Sequence, residues 1–201
     1  MNLHKFFSII IIFLFFISCS KKIEKDNVLK ERSLDLQMIE AYEEGMSSLK
    51  SGDVLFAAKK FNEAEILYPQ SIWAPRSALM AAYSYYLQDY YGDAVAELER
   101  FIKVYPKHEN LDYAYFLLAT AHYEQIVNEK KDLGSLLDAK RNFLFVINNF
   151  SNTDYAIDAK FKLDLIDDTL ASKEMYIGRY YLQQKKWISA INRFRTVVDE
   201  Y

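Results

Sequence analysis

Apolar residues along this chain recur at intervals of three and four, and the intervals themselves repeat. Ala57, Phe61, Ala64 and Pro69 stand at offsets of four, three and five, and Ala94, Leu98, Phe101 and Pro106 reproduce them. A third copy runs Ala139, Phe143 and Val146, with Ser151 in the place of the proline. A fourth runs Ala190, Phe194 and Val197. Spacing of this kind puts apolar side chains on one face of a helix. Self-similarity at a period of about 34 residues marks a solenoid of helical hairpins. The expected fold is therefore all-α, with antiparallel helix pairs stacked in series, a form that offers an extended surface before it offers an enclosed pocket.

The first copy begins near Glu31, and Leu34, Met38, Ala41, Tyr42, Gly45 and Leu49 mark the inward face of its first helix. Gly52-Asp53 makes the turn into a second helix that carries Ala57, Phe61, Ala64 and Leu67 inward and stops at Pro69. Proline cannot donate to a continuing helix and restricts the residue before it. The second copy enters near Pro75, suited to a first helical turn, and its stripe is Leu79, Ala82, Tyr83 and Tyr86; Gly92-Asp93 opens its second helix. The third starts with a helix from Leu111 to Val127, and the segment from Asn128 to Gly134 forms a loop longer than a minimal hairpin turn. From Asp154 to Lys186 the pattern predicts one long helix or two nearly collinear ones, with Leu163, Ile166, Leu170, Ile177 and Tyr181 inward. Gly45, Ala82, Ala119 and Gly178 fall at matching points, which predicts a close approach of the two helices of each pair. The fourth copy stops one residue before its proline is due, and with no polar cap in view the pattern predicts a fragment of a longer array.

Composition agrees with few, long helices. Hydrophobic residues make up 51% of 201, while Gly numbers 5 and Pro 3. That shortage of turn formers disfavours a many-stranded β protein. A formal charge of −3 supplies no basic excess for a nucleic-acid partner. The 16 Tyr and 14 Phe exceed what composition alone explains. Many of them are core positions of the repeats, and others suit a groove that binds a partner with flat, hydroxyl-bearing area.

The N-terminus reads as a separate object. His4 and Lys5 precede a largely apolar run from Phe6 to Ile17, which is short for a membrane span of about 20 residues and right for a signal-peptide core. Ile17-Ser18-Cys19 resembles a bacterial lipobox, with Phe16 where leucine is usual. This resemblance implies a signal peptide over 1–18, lipidation of Cys19 (including palmitate) and a polar tether over 19–30, leaving 31–201 as the solenoid of about four repeats. Ser20, in place of aspartate, implies sorting to the outer membrane. Three acyl chains would exceed the two signals that stable anchoring needs.

The copies resemble tetratricopeptide repeats, and the likeness extends beyond the generic pattern. Arg100-Phe101-Ile102, Pro106, His108, Asn110-Leu111-Asp112-Tyr113 and Tyr115 resemble a segment of the BamD family, the lipoprotein subunits of the outer-membrane β-barrel assembly (BAM) machinery. The lipobox, the long loop of the third repeat and Ala190-Ile191-Asn192-Arg193 after Trp187 agree with it. What the resemblance implies is a periplasmic scaffold, not an enzyme, lipid-anchored in the cell outer membrane and serving protein insertion into that membrane. Its implied partners are the POTRA domains of the barrel subunit BamA, unfolded outer-membrane β-barrel proteins, and other lipoproteins of the machinery. Asn192 and Arg193 match the family's contact to the barrel subunit, where the planar guanidinium suits a carboxylate. Client binding is implied on the first repeats, at Tyr68 and Arg100, with Tyr83, Tyr85 and Tyr86 as groove tyrosines; Leu67 stands where the family often has arginine. Family members carry five repeats, so the last and the end of the fourth would be missing here.

No competing chemistry is visible. His108 and His122 lie far apart, with no ligand spacing for zinc, so neither metal nor cofactor is expected. The adjacent carboxylates Glu43-Glu44 and Asp167-Asp168 diverge on a helix and read as solvated surface. Neither a nucleophile elbow nor a phosphate-cradling glycine loop occurs. The rival readings are another periplasmic repeat lipoprotein, acting as an adaptor in cell-wall or pilus assembly, and, from a different class, an envelope enzyme such as a peptidoglycan hydrolase.

Overall fold

Ser33 accepts a hydrogen bond from the backbone N–H of Leu36 at 3.4 Å and so caps α1, Leu34–Ser51. This is the first element of a computed structural model that describes residues 33–125 and 133–201. The expectations for the signal segment, Cys19 and the tether, and nearly all of the long loop, lie outside the described residues. Gly52 ends α1 at φ 86, in the left-handed region, and Asp53 N–H closes the motif on Ser48 C=O at 2.9 Å. The same Asp53 then caps α2, Val54–Leu67, through its carboxylate on Phe56 N–H. One dipeptide thus stops one helix and starts the next. Six more helices follow among the described residues: α3, Trp73–Leu87; α4, Tyr91–Val104; α5, Leu111–Glu124; α6, Gly134–Asn149; α7, Asp154–Gln183; and α8, Trp187–Glu200.

The hairpin turn recurs where the sequence pattern gives no glycine. Asp89 between α3 and α4 and Lys185 between α7 and α8 take φ of 60 and 58, the conformation Gly52 adopts between α1 and α2. Residues with a Cβ adopt that conformation at a cost of about 1 kcal/mol. The stack recovers this by docking the helix that follows.

Each helix packs on its neighbours in the chain, which makes a serial stack over residues 33–201. The recurring second-helix positions form its core. Ala57, Ala94 and Ala139 are wholly buried, as are Phe61, Leu98 and Phe143. Opposite them sit the small residues of the first helices. A methyl at Gly45 would lie 2.8 Å from Cε1 of Phe61, and one at Gly178 would lie 2.8 Å from Cδ1 of Phe194. Both distances are below van der Waals contact, so a glycine there lets a ring lie flat on the partner helix. Ala82 and Ala119 occupy the corresponding positions and are fully buried.

Asp154–Gln183 is one uninterrupted helix of 30 residues, resolving the choice between one helix and two. At 1.5 Å per residue it runs about 45 Å. Its first half packs Ala156, Ala159, Ile166 and Leu170 into a core shared with α5 and α6. Its second half faces α8 through Gly178. The first helices also meet one another directly, α3 touching α5 and α5 touching α7, so they form one continuous wall of the stack.

Candidate functional site

Three places carry the residues singled out in the sequence. The first lies between the first two repeats. Arg100 on α4 reaches back to Glu65 on α2 in a two-point pair, NH1 to Oε1 at 2.9 Å and NH2 to Oε2 at 2.6 Å. Its Nε donates to Glu97 at 2.9 Å, and Tyr105 hydroxyl donates to Glu65 Oε1 at 2.7 Å. Glu65 is only 8% exposed, so its charge is neutralised by these donors and not by water. Burial, then the bond to Glu65, holds the Tyr105 hydroxyl above the usual tyrosine range. A cleft opens beside this network, lined by Asn62, Glu65, Ile66, Pro69, Glu97 and Arg100. The Asn62 amide oxygen is buried there without a partner. Tyr68 ends α2 and packs half-buried on Met38, Ala41 and Ala64.

The second place is the terminal hairpin. Arg193 on α8 donates through NH1 to both carboxylate oxygens of Glu174 on α7, at 3.1 and 2.9 Å. Asn192 is exposed beside it, and the two share a shallow polar hollow with Tyr181, Ser189 and Thr196.

The third is the wall of first helices. Tyr83 and Tyr86 lie half-buried on the core between the second and third repeats, together with Tyr113 of α5. Tyr113 stacks obliquely against Tyr155 of α7, centroids 5.4 Å apart. Burial raises the Tyr113 hydroxyl well above its usual value, and the neighbouring hydroxyls of Tyr83, Tyr155 and Tyr86 add to the shift. Tyr85 points elsewhere: burial and the carboxylates of Glu97 and Asp93 on α4 raise it. The structure therefore groups Tyr83 and Tyr86 with Tyr113 and Tyr155, while Tyr85 belongs to the opposite side of α3.

Glu65, Tyr105 and Glu174 were not singled out by sequence reasoning. Their partners lie far away along the chain, and no local spacing announces such pairs. Tyr113 and Tyr155 each follow an aspartate at the start of a first helix, a signal that was available. Nδ1 of His108 accepts from Asn110 N–H within the turn at 3.2 Å. His122 sits on α5, and its pKa is lowered by burial above all. Among the described residues no cluster of His, Cys, Asp or Glu is arranged to hold a metal ion, and no helix is long and apolar enough to cross a membrane.

Residues 34–201 match the family model described as YfiO, outer membrane lipoprotein. The chain is 36% identical over 184 residues to outer membrane protein assembly factor BamD of Caulobacter vibrioides, covering 91% of this chain and 59% of that protein. It is 40% identical over 160 residues to the protein of the same name from Rickettsia prowazekii, covering 80% and 64%. To that of Neisseria gonorrhoeae it is 30% identical over 177 residues, covering 83% and 66%. The chain thus spans less than two thirds of the length of these relatives.

Proposed function

The chain belongs to the YfiO family of outer membrane lipoproteins, and we propose that it is a periplasmic assembly factor that helps insert β-barrel proteins into the outer membrane. The observation that carries this reading is the family match across 34–201, joined to relatives that are named outer membrane protein assembly factors. In this reading Cys19 carries the lipid that holds the scaffold on the periplasmic side of the membrane. The N-terminal repeats receive an unfolded barrel client near Tyr68 and Arg100, with Tyr83 and Tyr86 extending the contact along the wall. Asn192 and Arg193 dock to the POTRA domains of the barrel subunit, and other lipoproteins of the machinery bind alongside.

The geometry supports an arginine contact of a particular form. Arg193 spends one terminal nitrogen on Glu174, which fixes the plane of its guanidinium. A second carboxylate on a partner would then meet a pre-oriented fork. Arg193→Glu places two carboxylates face to face across that hairpin and presents the wrong sign to the partner. POTRA domains should retain the wild-type chain in a pull-down and release the variant at least tenfold more readily, with helix content unchanged. Retention of the variant at wild-type strength would remove Arg193 from the contact. Failure of the barrel subunit to copurify with the membrane-extracted wild-type protein would refute the assembly role itself.

A further inference from the structure

The hairpin of α7 and α8 carries charge of one sign over most of its length. From Met175 to Val198 no acidic residue occurs, whereas Arg179, Lys185, Lys186, Arg193 and Arg195 are all basic. Glu174, just before this stretch, is committed to Arg193. Among the described residues no carboxylate pairs with Arg179, Lys185, Lys186 or Arg195.

The turn between the two helices adds exposed apolar area to that charge. Every residue from Leu182 to Ile188 is exposed, Trp187 to 58% and Ile188 to 77%. Lys185 N–H donates to Leu182 C=O at 3.0 Å and Lys186 N–H to Tyr181 C=O at 2.9 Å, which fixes the turn. Lys186 Nζ lies 5.9 Å from the centre of the Tyr181 ring. Lys185 stands at φ 58, where the turns of the first two repeats have Gly52 and Asp89. Glycine and aspartate adopt that conformation more readily than lysine does. Those two turns also carry acid, at Asp53 and Asp89. Local conformation therefore does not account for a lysine here.

We infer that the α7–α8 turn rests on the surface of a bilayer that contains anionic phospholipid. Indole and aliphatic groups settle at the boundary between headgroups and acyl chains, and lysines reach the phosphates on flexible apolar stems. Each basic residue beside an anionic leaflet strengthens binding roughly fivefold. A protein partner fits the turn less well. An ordinary interface takes about 20–30 residues a side, and the turn offers only Leu182 to Ile188. Arg193 stands about 9 Å along α8 from Trp187, at 1.5 Å per residue, and keeps its bond to Glu174. Docking through Arg193 and contact through the turn thus use different side chains. The contact rests on the reading of Cys19 as a lipid anchor, which brings the hairpin near a membrane.

The test reconstitutes the full lipidated chain with Trp73→Phe, which leaves Trp187 as the only tryptophan. Vesicles of brominated phosphatidylcholine, pure or mixed about 2:1 with brominated phosphatidylglycerol, quench an indole that reaches their acyl boundary. Trp187 fluorescence should be at least about twofold lower on the mixed vesicles than on the pure ones, and about 500 mM salt should abolish the difference. Lys185→Gln with Lys186→Gln, both at exposed positions, should remove most of it. Fluorotryptophan in the otherwise unaltered chain gives separate signals for Trp73 and Trp187, and only the second should broaden on the mixed vesicles. A chain that floats with the mixed vesicles alone would refute the anchor and keep the contact. Flotation with both, and Trp187 equally bright on each, would keep the anchor and overturn the contact; flotation with neither would overturn both. Quenching that survives the Gln pair would overturn the contact as well, since the lysines are its source of charge preference.

Discussion

Alanine at Gly45 would place a methyl against the ring of Phe61, at 2.8 Å from Cε1 and 2.9 Å from Cδ1. Phe61 is fully buried and in edge contact with Tyr42 at a centroid distance of 5.3 Å, so the ring has nowhere to retreat. Overpacking of this kind costs about 1–3 kcal/mol, against a helix-propensity gain of about 1 kcal/mol for replacing glycine. Gly45→Ala should therefore lower stability by up to about 2 kcal/mol in urea denaturation. The second repeat supplies the remedy, because it pairs Ala82 with Leu98 at the same two positions. Gly45→Ala combined with Phe61→Leu should recover part of the loss, a sign that neither change alone would give. Gly178 makes the contrast. Its methyl would also meet a ring, but Phe194 is only half-buried where Phe61 is fully buried. Gly178→Ala should cost less than Gly45→Ala, although the two distances alone do not predict that order. Equal losses at the two sites would show that ring burial does not govern the cost.

Between elements, α4 is tied back to α2 by a carboxylate buried within the stack, whereas the pairs Lys60–Glu44, Lys140–Asp167 and Arg193–Glu174 join helices that follow one another in the chain. Glu65 lies within the stack, 8% exposed, and Arg100 and Tyr105 supply three donors to it from the next repeat. Removing one partner of a fully buried ion pair costs about 3–5 kcal/mol. Arg100 keeps 38% of its side chain in solvent, so water compensates partly, and Arg100→Ala should cost about 2 kcal/mol. Tyr105→Phe removes a single hydrogen bond to a carboxylate and should cost about 1.5 kcal/mol. The two losses should fall short of additive in the double variant, since both groups serve one acceptor. Strict additivity in thermal denaturation would mean that the three side chains do not act as a unit. Arg100→Ala is for this reason a poor probe of client binding by itself: it loosens the first joint of the scaffold. This junction also shows where the sequence stops being legible. Periodicity located the helices, the turn at Gly52-Asp53 and the inward faces, because those depend on neighbours three or four residues away. Glu65 reads as one more polar residue on α2, since its partners sit on another repeat. The pairing of Tyr83 with Tyr113 and Tyr155 likewise depends on how successive helices are rotated, which residue spacing within one helix does not encode, whereas the separation of Tyr85 from Tyr83 and Tyr86 follows from that spacing directly.

Across residues 33–201, stability should follow the number of neighbours each hairpin has, as in any stack where a repeat touches only the next. The two central hairpins are covered on both sides and hold Phe101, Phe143, Leu98 and Leu136 wholly buried. In α8 only Ala190 is buried, while Ile188 and Val198 stand 77% and 83% exposed. The 30-residue α7 belongs to both regimes. Ala156, Ala159, Ile166 and Leu170 are locked into the core with α5 and α6, whereas the turns around Gly178 are held mainly by α8. Local opening releases cooperative units and not secondary-structure elements as such. Amide exchange should therefore step within this one helix. Protection from Ile166 to Leu170 should match that of α6, and from Gly178 onward it should fall at least tenfold, together with α8. A helix protected evenly from end to end would mean that its own hydrogen-bond ladder sets its stability, and the long helix would then act as a rigid strut. A step near residue 174 would instead divide the helix between two cooperative units, with Glu174 at the boundary and Arg193 bonded to it from the second.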